Sequence, residues 1–257
     1  SVDEGGNFVI PLLSGHIGGA NGFAKALAKV IKATPVVTTA TDVNKLFAVD
    51  EWAARNNMII NSMKAAKDFA AALVDGQEVG LFTDYPIISA LPRQIVLKDK
   101  GVTGLAITKN RNVKPFDLTV QLWPRNIYLG IGCRRGTTLE SIETLVLPKL
   151  KELGIDLRTI VGVASVDLKK DEAGLLNFAA KYNWEISFFT AEELQNAAGE
   201  FSSSDFVKSV VGVSNVCERS AVLAANNGSI ISSKCSLNGV TLAVAEADIV
   251  LDFEKLS

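Results

Sequence analysis

The stretch Leu12-Leu13-Ser14-Gly15-His16-Ile17-Gly18-Gly19-Ala20-Asn21 follows a short apolar run and contains the single histidine of the 257-residue chain. The apolar residues before it, within 7–13, predict a strand. A helix is expected to begin near Gly22, and the β-branched run at 34–39 predicts a second strand. Strand, glycine loop, helix and strand form a βαβ unit, which favours parallel pairing.

Small residues in this loop let the backbone approach a ligand, and the start of a helix presents free N–H groups to it. Asn21 is expected to cap the helix, whose apolar face is predicted to carry Phe23, Leu27, Val30 and Ile31. The candidate binding residues are Ser14, Gly15, Gly18, Gly19 and Asn21. His16 has two interpretations: an acid or base with a pKa of roughly 6.5, or a hydrogen-bonded turn residue.

Three further candidates follow the second strand of this unit. Thr39, Thr41 and Asp42 lie where a parallel strand ends, which is the edge at which such sheets bind ligands. Strand-end turns and helix caps use the same residue types, so turn chemistry is the alternative explanation.

Composition limits the classes of protein that need to be considered. The chain is 48% apolar and has a net charge of −2, which gives no overall field for nucleic acid or an anionic membrane. Three scattered cysteines and one histidine offer no zinc site and indicate reduced thiols. We expect a cytoplasmic protein with no bound metal of its own, and the turn-like sequence at 1–6 suggests that the numbering begins inside a domain.

Alternating strand and helix patterns predict a multi-domain α/β protein, with mostly parallel sheets flanked by helices. We divide it into the remainder of an N-terminal α/β domain (1–57), a small α/β middle module (58–125) and a C-terminal α/β domain (126–257). Capping boxes are predicted at Thr137 with Glu140 and at Thr190 with Glu193.

Two more loops repeat the design of strand, small residues, polar side chains and helix. One contains Cys133, Arg134, Arg135 and Gly136, where paired guanidinium groups beside a helix start suit a carboxylate or phosphate. Its glycine spacing does not fit the dinucleotide fingerprint, and the chain has no P-loop.

The third loop contains Ser214, Cys217 and Glu218 and is expected to lead into a helix over 221–225. Glu218 is open to three roles: partner of the helix dipole, ion-pair partner of an arginine, or general base. Cys133 and Cys217 are either nucleophiles or buried structural thiols.

Four motifs in order now carry a resemblance that covers nearly the whole chain: 13–21 (LSGHIGGAN), 37–43 (VTTATDV), 130–136 (GIGCRRG) and 212–218 (GVSNVCE). Together they resemble the cobalamin biosynthesis protein G family, CbiG, the cobalt-precorrin-5A hydrolases. Members of that family usually have further residues before the position of Ser1.

The resemblance implies opening of the δ-lactone of a cobalt-bound tetrapyrrole, loss of acetaldehyde and formation of cobalt-precorrin-5B in anaerobic vitamin B12 synthesis. Cobalt would enter as part of the substrate, with no separate cofactor. Our own hypothesis from the residues is that His16 acts as acid or base, that Arg134 and Arg135 bind substrate carboxylates, and that Glu218 or Asp42 assists.

Two alternatives stay open: a tetrapyrrole-binding or carrier protein of the pathway without hydrolytic activity, and a general carboxylate- or nucleotide-binding protein. The expected partner is the tetrapyrrole, with neither nucleic acid nor membrane. The sequence does not fix the oligomeric state, and a homodimer is the assembly considered.

Overall fold

The computed structural model describes residues 1–12, 19–38, 43–44, 46–110, 112–199, 201 and 215–254. The chain divides into two compact units. Unit 1 combines residues 1–124 with 250–257, and unit 2 comprises residues 125–249. Both units mix strands with helices, so the predicted multi-domain α/β class is confirmed.

The N-terminal part of unit 1 is the predicted βαβ unit. Strand β1 (Phe8–Val9) pairs in parallel with β2 (Thr34–Pro35), and helix α1 (Ala20–Ile31) connects them. The helix packs through Ala24 and Ala28 against Val9, because these small side chains allow a close approach.

Two details of α1 differ from the sequence-based expectation. Phe23 and Val30 are exposed, so most of the predicted apolar face is not the packed face. The N-cap is Gly19, in the left-handed conformation (φ 70°), and Asn21 lies buried inside the first turn. Glycine adopts this conformation without steric cost, which explains why it precedes the helix.

The larger sheet of unit 1 has the strand order β3-β7-β6-β4-β5. Its strands are β3 (Met58–Ile60), β4 (Val79–Thr83), β5 (Ile95–Leu97), β6 (Gly101–Ile107) and β7 (Phe116–Pro124). Only β3 is antiparallel to its neighbour. Helices α2 (Val49–Arg55) and α3 (Met63–Val74) belong to the same unit, and Ser62 caps α3 by accepting a hydrogen bond from the Ala65 N–H.

Unit 2 is built on the five-stranded sheet β10-β9-β8-β12-β11. Strands β8 (Ile127–Cys133), β9 (Ile160–Val166) and β10 (Glu185–Phe189) are parallel, and β11 (Ser229–Leu237) and β12 (Val240–Glu246) form an antiparallel hairpin beside β8.

The helices of unit 2 are α4 (Leu139–Glu152), α5 (Ala173–Lys181), α6 (Ala191–Gln195) and α7 (Val216–Ala224), with short 3-10 turns at Leu157–Thr159 and Asp167–Lys169. Helix α4 packs on α5 and β12, while α7 packs on β8, β9 and β12. The main core includes Leu129, Ile131, Val146, Phe178 and Leu242, all buried between α4, α5 and the sheet. The loops that follow β8 and β9 therefore lie at the carboxyl-terminal edge of this sheet.

Candidate functional site

The loop that follows β8 is the best-defined candidate site in the described part of the chain. Strand β8 ends at Cys133, and α4 begins at Leu139. Ligands of open α/β sheets bind outside the carboxyl ends of the parallel strands, and this loop occupies such an end. The predicted residues Cys133, Arg134, Arg135 and Gly136 are therefore placed together where a ligand can reach them.

A tight turn fixes the backbone of this loop. The Arg134 carbonyl accepts hydrogen bonds from the Thr137 N–H (3.3 Å) and the Thr137 hydroxyl (2.7 Å). Gly136 has φ +73°, a conformation that residues with a side chain rarely adopt.

Because the Thr137 hydroxyl is used in this turn, it does not cap α4. Thr138 is the N-cap, and its hydroxyl accepts a hydrogen bond from the Ser141 N–H at 3.3 Å. The predicted capping box of Thr137 with Glu140 is wrong by one residue. The predicted box of Thr190 with Glu193 is confirmed in full.

The two arginines of the loop have different surroundings. Arg135 is 70% exposed, but its Nη1 lies 3.1 Å from the Asp171 carboxylate and its Nε 3.6 Å from that of Glu172. The hydrogen bond to Asp171 raises the pKa of Arg135 above its ordinary value. Arg134 is also exposed, and among the described residues it forms no ion pair.

Glu172 joins the loop to the end of the neighbouring strand β9. Its carboxylate, in a residue only 3% exposed, accepts hydrogen bonds from the Gly136 N–H (3.0 Å) and the Lys169 ammonium (3.2 Å). Burial alone raises the pKa of Glu172, but these donors and Arg135 outweigh it and hold the pKa below its usual value. Glu172 is therefore an anion that anchors the loop.

The described cysteines do not have the properties of activated nucleophiles. Burial raises the pKa of Cys133, although the Lys169 ammonium acts in the opposite direction. Burial raises the pKa of Cys217 to about 11. Both side chains are protonated thiols near neutral pH, which favours the structural interpretation of these cysteines.

The start of helix α7 forms a buried polar cluster. The helix begins at Val216 and not at Ala221 as predicted, because the Asn215 side chain caps it by accepting from the Glu218 N–H at 3.3 Å. Cys217 and Glu218 are consequently helical residues. The pattern of Asn215 three residues before Glu218 was the sequence signal for this start.

Both oxygens of the Glu218 carboxylate accept hydrogen bonds inside unit 2. One accepts from the Lys234 N–H at 2.7 Å, and the other from the Asn215 side-chain amide. The ladder between β11 and β12 shifts register between Ser232 and Cys235, around Lys234. Glu218 is 3% exposed, so its geometry supports a role in fixing the start of α7. Its predicted catalytic role stays a prediction.

The remaining predicted site residues are distributed as follows. Gly19 and Asn21 lie at the start of α1 in unit 1. His16, Ser14, Gly15, Gly18, Thr39, Thr41, Asp42 and Ser214 lie outside the described residues.

Sequence reasoning missed the acidic and basic residues after β9. Asp171 and Glu172 contact the loop of residues 133–136, called the arginine loop, through Arg135 and Gly136. Lys169 in turn donates to the Glu172 carboxylate. Gly136 and Glu172 are 36 positions apart in sequence. These residues follow β9, a parallel strand beside β8, and this position could have identified them as site residues. Recognising it required the order of the strands in the sheet, which the sequence does not show.

Neither a cluster of metal-ligating side chains nor a membrane-spanning helix is found among the described residues. No group of three or more His, Cys, Asp or Glu side chains in these ranges could hold a metal ion. No helix among them is both long and apolar enough to cross a lipid bilayer.

Comparison with known proteins gives matches along the whole chain. Three family models match: Cobalamin synthesis G N-terminal at 1–42, Cobalamin biosynthesis central region at 47–124, and Cobalamin synthesis G C-terminus at 127–245. A solved structure of CobE, a protein from the cobalamin (vitamin B12) biosynthetic pathway, is 28% identical with a TM-score of 0.45, covering 47% of this chain and 89% of that chain.

Two curated relatives are named cobalt-precorrin-5A hydrolase. The one from Salmonella typhimurium is 34% identical over an alignment of 259 positions, which covers 96% of this chain and 73% of the relative. The one from Priestia megaterium is 30% identical over an alignment of 263 positions, which covers 95% of this chain and 70% of the relative. With this identity over most of both proteins, and with the three family models matching in order, the chain belongs to the cobalamin biosynthesis protein G (CbiG) family.

Proposed function

We propose that this chain is a cobalt-precorrin-5A hydrolase of cobalamin biosynthesis, an enzyme that opens the δ-lactone of its substrate and releases acetaldehyde. The observation that carries this proposal is the alignment of about the whole chain with two relatives of that name, at 34% and 30% identity. Cobalt enters as part of the substrate.

The arginine loop of unit 2 supports recognition of such a substrate. A cobalt-bound tetrapyrrole with acetate and propionate arms presents several carboxylates, and guanidinium groups bind carboxylates with two parallel hydrogen bonds. Arg134 is exposed at the carboxyl end of β8, beside the start of α4. The positive end of that helix adds to the attraction for an anion.

Lactone opening requires water attack on the ester carbonyl, stabilisation of the oxyanion and transfer of a proton to the departing oxygen. Cleavage of a carbon–carbon bond then releases the two-carbon unit. We assign the proton transfers to His16, because an ordinary imidazole can both take up and release a proton near neutral pH. Ser14, Gly15, Gly18, Gly19 and Asn21, with Thr39, Thr41 and Asp42, form the proposed remainder of this site.

The direct test is turnover of cobalt-precorrin-5A by the purified protein, with acetaldehyde and cobalt-precorrin-5B as the measured products. His16→Ala is expected to reduce kcat by at least about a hundredfold, the usual contribution of a general acid or base. His16→Ala with turnover close to wild type would remove His16 from the mechanism.

The second candidate function is binding of the tetrapyrrole without hydrolysis. The similarity of part of the chain to CobE, 26% identical over 130 residues, is the observation that keeps it open. Tight binding of the cobalt tetrapyrrole with no acetaldehyde would favour it. The cytoplasmic location, the homodimer and the absence of a nucleic-acid partner stay predictions.

A further inference from the structure

We propose that Arg134 is the arginine that binds a substrate carboxylate, and that Glu172 is a positioning residue that withdraws Arg135 from this task and holds the loop. This division of roles rests on the proposed function. It assigns different duties to two adjacent residues of the same charge and chemistry.

The two arginines differ in how far their positive charge is compensated by the protein. Arg135 contacts both Asp171 (3.1 Å) and Glu172 (3.6 Å), so its positive charge is already compensated by two carboxylates of the protein. A substrate carboxylate that approached Arg135 would meet these like charges. Arg134, without an ion pair among the described residues, keeps its full charge for a ligand.

The Arg134 side chain packs against the turn between β11 and β12. Its aliphatic part lies against Gly239 in the turn between β11 and β12: a Cβ added to Gly239 would lie 2.8 Å from Cδ and 2.9 Å from Nε of Arg134. The Arg134 N–H also donates to the Gly239 carbonyl at 3.2 Å. The Arg134 side chain therefore packs directly against Gly239, where a side chain at position 239 would occupy the same space.

Glu172 fixes the backbone of the turn that carries Arg134. Its carboxylate accepts from the Gly136 N–H at 3.0 Å, and Gly136 is two residues after Arg134 in the same turn. The Lys169 ammonium donates to the second oxygen of this carboxylate, Oε1, at 3.2 Å. A residue buried to this extent and bonded to the loop backbone fixes the direction in which the turn presents Arg134.

The test compares variants of the two arginines with cobalt-precorrin-5A as substrate. Arg134→Gln is expected to raise KM about tenfold or more, as for loss of one charge-assisted hydrogen bond, with kcat nearly unchanged. Arg135→Gln is the matched control and is expected to change KM less than about threefold. Arg134→Lys should recover part of the loss because it restores the charge.

Glu172→Gln tests the positioning role through coupling. It is expected to raise KM in the wild-type background and to have little further effect in Arg134→Gln, because its influence passes through Arg134. A merely structural residue would lower the urea midpoint and give additive losses. Glu172→Asp is the second variant, since it keeps the charge but shortens the reach to the Gly136 N–H, and the same coupling is expected.

Equal effects of Arg134→Gln and Arg135→Gln, or additive effects of Glu172→Gln and Arg134→Gln, would overturn the inference. Absorbance titration of the cobalt tetrapyrrole measures its binding, and this measurement tests the roles of the two arginines separately from the proposed hydrolase activity. If the wild type binds but releases no acetaldehyde, the hydrolase proposal fails, and the ratio of the variants' Kd values still decides the inference. If the wild type does not bind at all, both fail.

Discussion

A buried carboxylate raises the question of whether it is there for chemistry or for structure, and Glu218 shows how the two can be separated. Its two oxygens accept from the Lys234 N–H and the Asn215 amide, so both are committed within the protein. The Asn215 oxygen in turn accepts from the Glu218 N–H and lies 3.3 Å from the Cys217 sulfur. Both oxygens of the Glu218 carboxylate are hydrogen-bond acceptors here. A glutamine amide has only one oxygen and cannot replace both.

We expect Glu218→Gln to lower the free energy of unfolding by about 1–3 kcal/mol, because the new NH2 group faces the Asn215 NH2 group and one buried donor loses its acceptor. Urea unfolding measures this change. Glu140→Gln, on an exposed position of α4, is the control and should stay within about 0.5 kcal/mol. Unchanged stability with a kcat reduced more than about a hundredfold would instead establish Glu218 as a catalytic residue.

Gly130 is required for a packing reason and not for binding. It lies in β8 directly beneath the first turn of α7, and a Cβ there would overlap the Cys217 carbonyl oxygen and lie 2.9 Å from the Ala221 Cβ. A shift of α7 or β8 to make room for this Cβ would break packing contacts, because residues of both elements are buried in the core of unit 2.

Gly130→Ala is therefore expected to destabilise unit 2 by about 1–3 kcal/mol or more, the range for overpacking a tight core. Gly101→Ala is the matched strand control, since its Cβ would meet the Phe116 ring at an ordinary 3.5 Å. Thermal unfolding of both variants gives the comparison. A Gly130→Ala variant as stable as Gly101→Ala would show that α7 packs less closely than described.

At the scale of elements, local sequence signals predicted the strands and helices better than the contacts between them. The box of Thr190 and Glu193 depends on four adjacent residues and was predictable. The N-cap of α4 was predicted one residue too early, at Thr137 instead of Thr138, because the Thr137 hydroxyl donates to the Arg134 carbonyl. The contact of Glu172 with Gly136 was beyond sequence reasoning, because it depends on β9 pairing beside β8.

A polar contact whose strength depends on pH joins α4 to the C-terminal end of α5. The Tyr182 hydroxyl donates to the Glu143 carboxylate at 2.6 Å, and the Lys181 ammonium also lies 2.6 Å from it. Burial, followed by this hydrogen bond and the charge of Glu143, raises the pKa of Tyr182 to about 12. The Tyr182 ring also stacks on Trp184.

Because the folded-state pKa of Tyr182 is above the unfolded value of about 10, its contribution to stability is fully present below pH about 10 and is lost as pH rises toward about 12. We expect Tyr182→Phe to remove one tyrosinate transition near pH 12 and to be destabilised mainly below pH 10. Absorbance titration and urea unfolding at several pH values measure this. Lys181→Met, which keeps the phenol, should retain the transition; its loss there would contradict the assignment.

At the scale of the whole molecule, unit 2 is an insertion into unit 1. The chain leaves unit 1 after Pro124 and returns at Val250. The returning strap, residues 250–254, is held by hydrogen bonds of Leu251 to the backbone of Pro86 (2.8 Å) and Ile88 (3.0 Å). Phe253 is 5% exposed and stacks on Trp52 at 4.7 Å, while the Trp52 indole donates to the Asp252 carbonyl at 3.0 Å.

The strap makes the stability of unit 1 depend on residues far from the rest of it in sequence, whereas the core cluster of unit 2 lies within residues 127–244. Phe253→Ala is expected to cost unit 1 about 3–5 kcal/mol, the usual loss for a buried phenylalanine, and to leave unit 2 unchanged. Hydrogen exchange read by mass spectrometry reports the two units separately, since peptides of 47–124 and 127–246 are distinct.

Asp252→Ala is the control for this variant, because Trp52 bonds the backbone carbonyl of Asp252 and not its side chain. Its exchange in the peptides of 47–124 should match the wild type, because the backbone carbonyl that accepts from Trp52 is retained, while the hydrogen bond from the Glu254 N–H to the Asp252 carboxylate is lost. Faster exchange in unit 1 alone for Phe253→Ala would establish the strap as part of that unit's core. Equal acceleration in both units would mean that the two unfold as one cooperative structure, and the division of stability between them would fail.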